Sequence, residues 1–149
     1  MGTLVLPVSG AVYVDANTLI YRIEIIQPYL ATAAPLWDAL RAGTQEVITS
    51  ELSLLETLVK PLQLGNTALQ KLFETVLYNT KGFSCLPITR QILEEAAQIR
   101  ATFGLKTPDA IHAATALIEG CTLFVTNDVA FRRIPGLNVA ILNEIAAAP

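Results

Sequence analysis

An alternation constrains this fold more than any other feature of the chain. Five short apolar runs, Ala11–Val14, Glu46–Thr49, Phe83–Leu86, Thr122–Thr126 and Asn138–Leu142, are separated by segments of helical periodicity. Runs this short and apolar read as buried strands. Strands that alternate with helices predict an α/β fold with a mostly parallel sheet, covered on its faces by the helices.

The intervening segments carry start and stop signals. Asn17–Ile25 and Pro28–Arg41 show helical periodicity, with Gly43 as a stop. Ser50 can cap a helix running to about Lys60, where Pro61 follows. Asn66 can cap Thr67–Asn79, Thr89–Phe103 stops at Gly104, and Thr107–Glu119 stops at Gly120. The 149 residues suit one domain spanning 1–149, with 1–10 a flexible lead-in and 144–149 a frayed end. A chain that is 52% hydrophobic and 15% charged can bury a sizeable core. It also has apolar residues to spare for an oligomer face. Ile20, Ile25, Ile26, Tyr29 and Leu36 exceed what one core face needs, and a homodimer is expected.

No apolar run approaches the ~18–20 residues of a membrane-spanning helix. The opening MGTLVLPVSG has neither a basic stretch nor a cleavage pattern, so no signal peptide is expected. Cys85 and Cys121 both lie in apolar stretches and read as buried free thiols, which suits a reducing cytoplasm. With one histidine, the chain has too few ligands for a zinc site of the Cys/His kind. No GxxxxGK[ST], GxGxxG or GxSxG segment is present, which removes support for triphosphate, dinucleotide and serine-hydrolase chemistry.

The acids are the informative polar residues. Asp15 follows the first strand and Asp128 follows the fourth. In open parallel sheets, ligands bind beyond the carboxyl ends of the strands, so these two acids can meet. Either alone would be explained as a helix-starting residue. Asn17 and Asn127 accompany them as further oxygen ligands or hydrogen-bond partners. Glu56 lies among Leu52, Leu55, Leu58 and Val59, on a helix apolar almost all round. An unpaired charge there is costly unless a cation, or Lys60 four residues on, compensates it. Glu51 is set ~140° around the helix from Glu56, at 100° per residue, so the two cannot share a pocket. Asp109 follows Thr107 and Pro108 at the start of the small, apolar AIHAATALI, with Thr107 as the expected cap. Four acids from four elements make an all-oxygen site suited to Mg²⁺ or Mn²⁺. Ser50 and Thr126 are candidates to hydrogen-bond the acids, and His112 reads as a packed, hydrogen-bonded residue.

The formal charge of −3 argues at first against a nucleic-acid partner. With the four pocket acids set aside, however, the rest of the chain nets +1.

Four segments, VYVDANTLIY (12–21), TSELSLLETL (49–58), TPDAIHAATAL (107–117) and FVTNDVAF (124–131), make the chain resemble the PIN-domain family, and within it the VapC-type toxins of toxin–antitoxin pairs. The resemblance runs from about Ala11 to Asn143. It implies a three-layer α/β/α fold with a five-stranded sheet, and endoribonuclease activity with Mg²⁺ or Mn²⁺. It also implies a catalytic and metal-binding set of Asp15, Glu56, Asp109 and Asp128, with Asn17 and Thr126 near the pocket. Some relatives carry a further acid beside the last one; here Val129 and Ala130 follow Asp128. RNA is then the expected substrate and a cognate antitoxin the expected partner, with no membrane involved. Two alternatives stay open at this level. One is a metal-dependent phosphatase, which Ala16-Asn17-Thr18 after Asp15 disfavours. The other is a non-catalytic module that keeps the fold, which the presence of all four acids disfavours.

Overall fold

The computed structural model describes residues 1–149. Its elements run β1 (Val12–Val14), α1 (Ala16–Ile23), α2 (Tyr29–Thr32), α3 (Ala34–Ala42), β2 (Val47–Ser50), α4 (Leu52–Gln63), α5 (Thr67–Asn79), β3 (Phe83–Leu86), α6 (Arg90–Phe103), α7 (Thr107–Ile118), β4 (Leu123–Thr126), a 3₁₀ turn at Val129–Arg133, β5 (Val139–Ile141) and α8 (Leu142–Ala147). The five strands form one sheet in the order β3-β2-β1-β4-β5. Every pairing is parallel, so the sheet is wholly rather than mostly parallel.

Alternation along the central strands feeds two cores. Val12 and Val14 of β1, with Leu123 and Val125 of β4, pack against Leu19, Leu36, Trp37, Leu40, Leu77 and Leu142. Tyr13 and Phe124, pointing the other way, pack against Ile92, Ala96 and Ile99 of α6 and the alanines of α7. Successive strand side chains point to opposite faces, and both faces are covered by helices. The result is a three-layer α/β/α sandwich.

The helix spans differ from the sequence reading where backbone geometry intervenes. The first helix ends at Ile23 because Ile25 turns left-handed (φ 57). The expected Pro28–Arg41 helix is two helices, α2 and α3, broken at Ala33. Pro61 lies inside α4, which continues to Gln63. The lead-in is tied down, with Leu4 buried and its N–H donating to the Thr32 carbonyl at 2.9 Å. Ser9 and Gly10 accept hydrogen bonds from Thr122 and Gln45. The expected frayed end is helical as far as Ala147, with Leu142 and Ala146 buried. No helix is long and apolar enough to cross a membrane.

Candidate acidic site

β1 is the central strand: from it the chain steps outward through β2 to β3, then crosses back to β4 on the other side of β1 and steps outward to β5. That reversal opens a crevice beyond the carboxyl ends of the strands, where α/β sheets bind ligands. Asp15 is the first residue after β1 and Asp128 the second after β4. A single cleft here is lined by Asp15, Asn17, Glu56, Asp109, His112 and Asp128, with Ala16, Ile20 and Phe131 as its apolar wall.

Each acid is held differently. Asp15 is the N-cap of α1, only 7% exposed. Its Oδ1 accepts from the Thr18 N–H at 3.0 Å and the Thr18 hydroxyl at 2.8 Å. Its Oδ2 accepts from the Thr126 hydroxyl at 2.5 Å. Thr126 in turn accepts from the Asp128 N–H at 3.0 Å, so one buried hydroxyl ties the two strand-end acids together. Asp128 caps the 3₁₀ turn by accepting from the Ala130 N–H at 2.9 Å. Asp109 sits in the first turn of α7, whose cap position is Lys106 rather than the expected Thr107, with Pro108 following. Glu56 is bonded through Oε1 to His112 Nε2 at 2.5 Å, not to Lys60. The other ring nitrogen, Nδ1, meets the Tyr13 hydroxyl at 2.6 Å.

Two of the expected supporting residues lie elsewhere. Asn127 turns away from the cleft, donating to the Tyr21 hydroxyl at 3.2 Å and accepting from the Asn143 N–H at 2.6 Å. Ser50 is buried and accepts from the Leu52 N–H at the start of α4, touching none of the acids. Asn17 does line the cleft and is exposed. Thr18 and Tyr13 are the contributors to the site that the sequence reading passed over, while His112 is packed and hydrogen-bonded as expected, with Glu56 and Tyr13 as its partners. Thr18 was legible, being three residues after an N-capping aspartate. Tyr13 was not, since nothing local marks a strand tyrosine as the partner of a histidine 99 residues away.

The charges are unbalanced. Burial pushes the Asp109 carboxyl above the usual aspartate range. The like charges of Asp128, Glu56 and Asp15 push it the same way, and His112 opposes them. In this conformation no three His, Cys, Asp or Glu side chains converge on one point as a finished coordination sphere. The donor set still fits a hard divalent cation, being carboxylate oxygen throughout, and its unrelieved repulsion is what such a cation removes. Among the basic residues, Arg132 is engaged with Glu144 through two hydrogen bonds of 2.8 and 2.5 Å, while Lys106 and Arg133 are exposed. The two cysteines are half-buried and unpaired, and burial raises each thiol to about 11.

A parallel sheet with an acid-lined crevice at its topological switch point defines the class of protein. The PIN-domain family profile matches residues 12–137, and the chain belongs to that family. Solved structures agree in fold. VapBC2 from Rickettsia felis, bound to a DNA fragment from their promoter, superposes with a TM-score of 0.70 at 17% identity, over 88% of this chain and 98% of that one. DNA-bound VapBC from Salmonella typhimurium gives a TM-score of 0.70 at 20% identity, over 90% and 99% of the two chains. VapC20 from Mycobacterium tuberculosis, a Sarcin-Ricin loop cleaving toxin, gives 0.67 at 17% identity, over 82% and 93%. No curated protein matches the chain in sequence.

Proposed function

We propose that residues 1–149 form a single nuclease unit that hydrolyses RNA phosphodiester bonds with Mg²⁺ or Mn²⁺, and that the chain is the toxin of a toxin–antitoxin pair acting in the cytoplasm. One observation carries the reading: Asp15, Glu56, Asp109 and Asp128, from four separate elements, line one cleft at the switch point of the sheet. Membership of the PIN-domain family and the likeness in fold to VapC proteins support it.

In this mechanism Asp15, Asp109 and Asp128 would hold the divalent ion, which when bound would neutralise phosphate charge and acidify a water. Asp15 is the most rigid of the three, with both oxygens already fixed by Thr18 and Thr126. Glu56, with one oxygen tied to His112, would hold the ion through a water or act as base toward the attacking water. Asn17, at the mouth of the cleft, supplies a polar contact to the substrate.

The antitoxin acts at the same cleft, an arginine or lysine of its own balancing the carboxylates through charge-assisted hydrogen bonds. Its amphipathic helix docks beside α4. The face α4 turns inward carries Ser53, Thr57 and Pro61, while Leu55 (63% exposed), Val59 and Leu62 form an outward stripe. A homodimer is also proposed. Ile25 and Ile26 remain exposed as expected, but Leu36, which was counted with them, is fully buried in the core.

The test is cleavage of single-stranded RNA by the purified chain, lost with EDTA and restored by Mg²⁺ or Mn²⁺. Asp109→Asn should cleave at least ~100-fold more slowly while staying folded. Undiminished cleavage by that variant removes the site assignment. Expression in a bacterial host should arrest growth, Asp15→Asn should not, and co-expression of the adjacent gene product should relieve the arrest. Normal growth with soluble, active protein removes the toxin reading and leaves the nuclease.

A further inference from the structure

A buried hydrogen-bonded chain runs from the middle of the sheet to the cleft, and the proposed chemistry does not use most of it. The Tyr13 hydroxyl lies 2.6 Å from His112 Nδ1, and His112 Nε2 lies 2.5 Å from Glu56 Oε1. Tyr13 is wholly buried and His112 only 2% exposed, so neither is a surface accident. The tyrosine ring is clamped by stacking on Phe124, at a centroid distance of 4.9 Å and an interplanar angle of 11°. The three residues belong to β1, α7 and α4, the elements that precede or carry Asp15, Asp109 and Glu56. Lys60, the neighbouring cation one helical turn on, is exposed and not engaged with Glu56.

The direction of the chain follows from its chemistry. A carboxylate only accepts hydrogen bonds, so the hydrogen between His112 and Glu56 sits on Nε2. The Thr49 side chain and the Ser50 backbone also face the Tyr13 oxygen and act on it as donors, so its own buried O–H is left to find an acceptor, and Nδ1 at 2.6 Å is the one in reach. Nδ1 is therefore bare and accepts. The imidazole is thus held in the Nε2–H tautomer from behind, and it can do nothing in front but donate to Glu56 Oε1.

We propose that His112, set by Tyr13, is a positioning residue that fixes the Glu56 carboxylate by one oxygen and leaves the other to the cleft. The proposal rests on the nuclease reading for its consequence, but its geometry stands apart from it. Glu56 is otherwise a partly exposed side chain, 30% accessible, on a helix whose inward face bypasses it, and without His112 its carboxylate would be free to rotate. Holding it in advance removes a conformational cost at the moment of metal or substrate binding.

Because His112 is the chain's only histidine, its ring nitrogens can be read by ¹⁵N NMR without ambiguity. The full chain should show a protonated Nε2 and an acceptor Nδ1, and Tyr13→Phe should disturb that pattern. Tyr13→Phe keeps the ring and its stack on Phe124. Mn²⁺ alone, titrated by calorimetry, should bind Tyr13→Phe and His112→Ala ~10-fold or more weakly than wild type. His112→Gln, which keeps a donor, should recover part of the loss. In a Glu56→Gln background, adding Tyr13→Phe should cost nothing further, an outcome that a merely structural tyrosine would not give. A protonated Nδ1 with a bare Nε2, wild-type Mn²⁺ affinity in a folded Tyr13→Phe, or equal losses with and without Glu56 would each overturn the proposal. A wild-type chain that binds no Mn²⁺ counts against the nuclease reading, and the tautomer and its response to Tyr13→Phe still decide this one.

Discussion

Asp109 and Thr126 are the residues whose surroundings demand most from single side chains. The Asp109 carboxyl is raised by burial and by Asp128, Glu56 and Asp15. A group raised in the folded state stabilises the fold fully below the ordinary aspartate range, and that contribution is lost as pH rises through the raised value. At neutral pH, without divalent ions, Asp109→Asn should therefore be more stable than wild type. The gap should close as pH falls below the ordinary aspartate range, which urea denaturation in EDTA at several pH values will measure. Thr126 has the opposite sign. Its buried hydroxyl bridges Asp15 and the Asp128 N–H, so Thr126→Val leaves two polar groups short of a partner. A loss of ~1–3 kcal/mol is expected in the same assay, with weakened cleavage because both strand-end acids lose their tether.

α7 is the element that most directly transmits packing to the cleft. Ala110, Ala113, Ala114 and Ala116 are all wholly buried, so the helix lies against its neighbours with no room for larger side chains. Its first turn carries Asp109 and its second His112, so a shift of the axis moves both. Ala113→Leu should cost ~1–3 kcal/mol by overpacking, read from the denaturation midpoint. Cleavage should fall by more than that loss of folded protein explains, because the acids are displaced. α4 teaches a different lesson. Hydrophobicity alone would turn Leu55, Val59 and Leu62 inward, yet the small Ser53, Thr57 and Pro61 are the buried residues. Thr57 manages this by bonding its hydroxyl to the Ser53 carbonyl at 2.6 Å. Ser53 does so through the Thr49 hydroxyl at 2.7 Å.

The whole molecule combines an acidic cleft with an apolar patch on its outside. Leu55, Leu62, Leu64, Leu72 and Tyr78 on and around α4 and α5 are exposed, as is Ile25. Scattered exposed apolar residues are ordinary, but a concentration of them along one pair of helices marks an interaction face. That face is the one proposed for the antitoxin helix, and self-association is proposed instead through Ile25 and Ile26 after α1; light scattering at micromolar concentration should give the mass of a dimer, and a monomer would count against it. Ligand binding to the folded state alone raises its apparent stability. Millimolar Mg²⁺ or Mn²⁺ should therefore raise the melting temperature of wild type, and raise that of Asp109→Asn less. Equal responses would detach the effect from the cleft.

Strand–helix alternation, five strands, the α/β class and the positions of Asp15 and Asp128 after strands were all legible in the sequence. They depend on local periodicity and on punctuation by Pro, Gly and capping residues, which act over a few positions. The breaks at Ile25 and Ala33 and the continuation of α4 through Pro61 were not, because neighbours in space outweighed local propensity there. The strand order, which puts β1 beside β4 and so brings Asp15 and Asp128 to one crevice, was decided by packing across the sheet. Long-range partners follow the same rule. Asn127 and Ser50 sit near acids in sequence and bond elsewhere, while Tyr13 and Glu56, 43 positions apart, meet through His112. Hydrogen bonds between side chains act over about 3 Å, and only the folded chain determines which groups come that close.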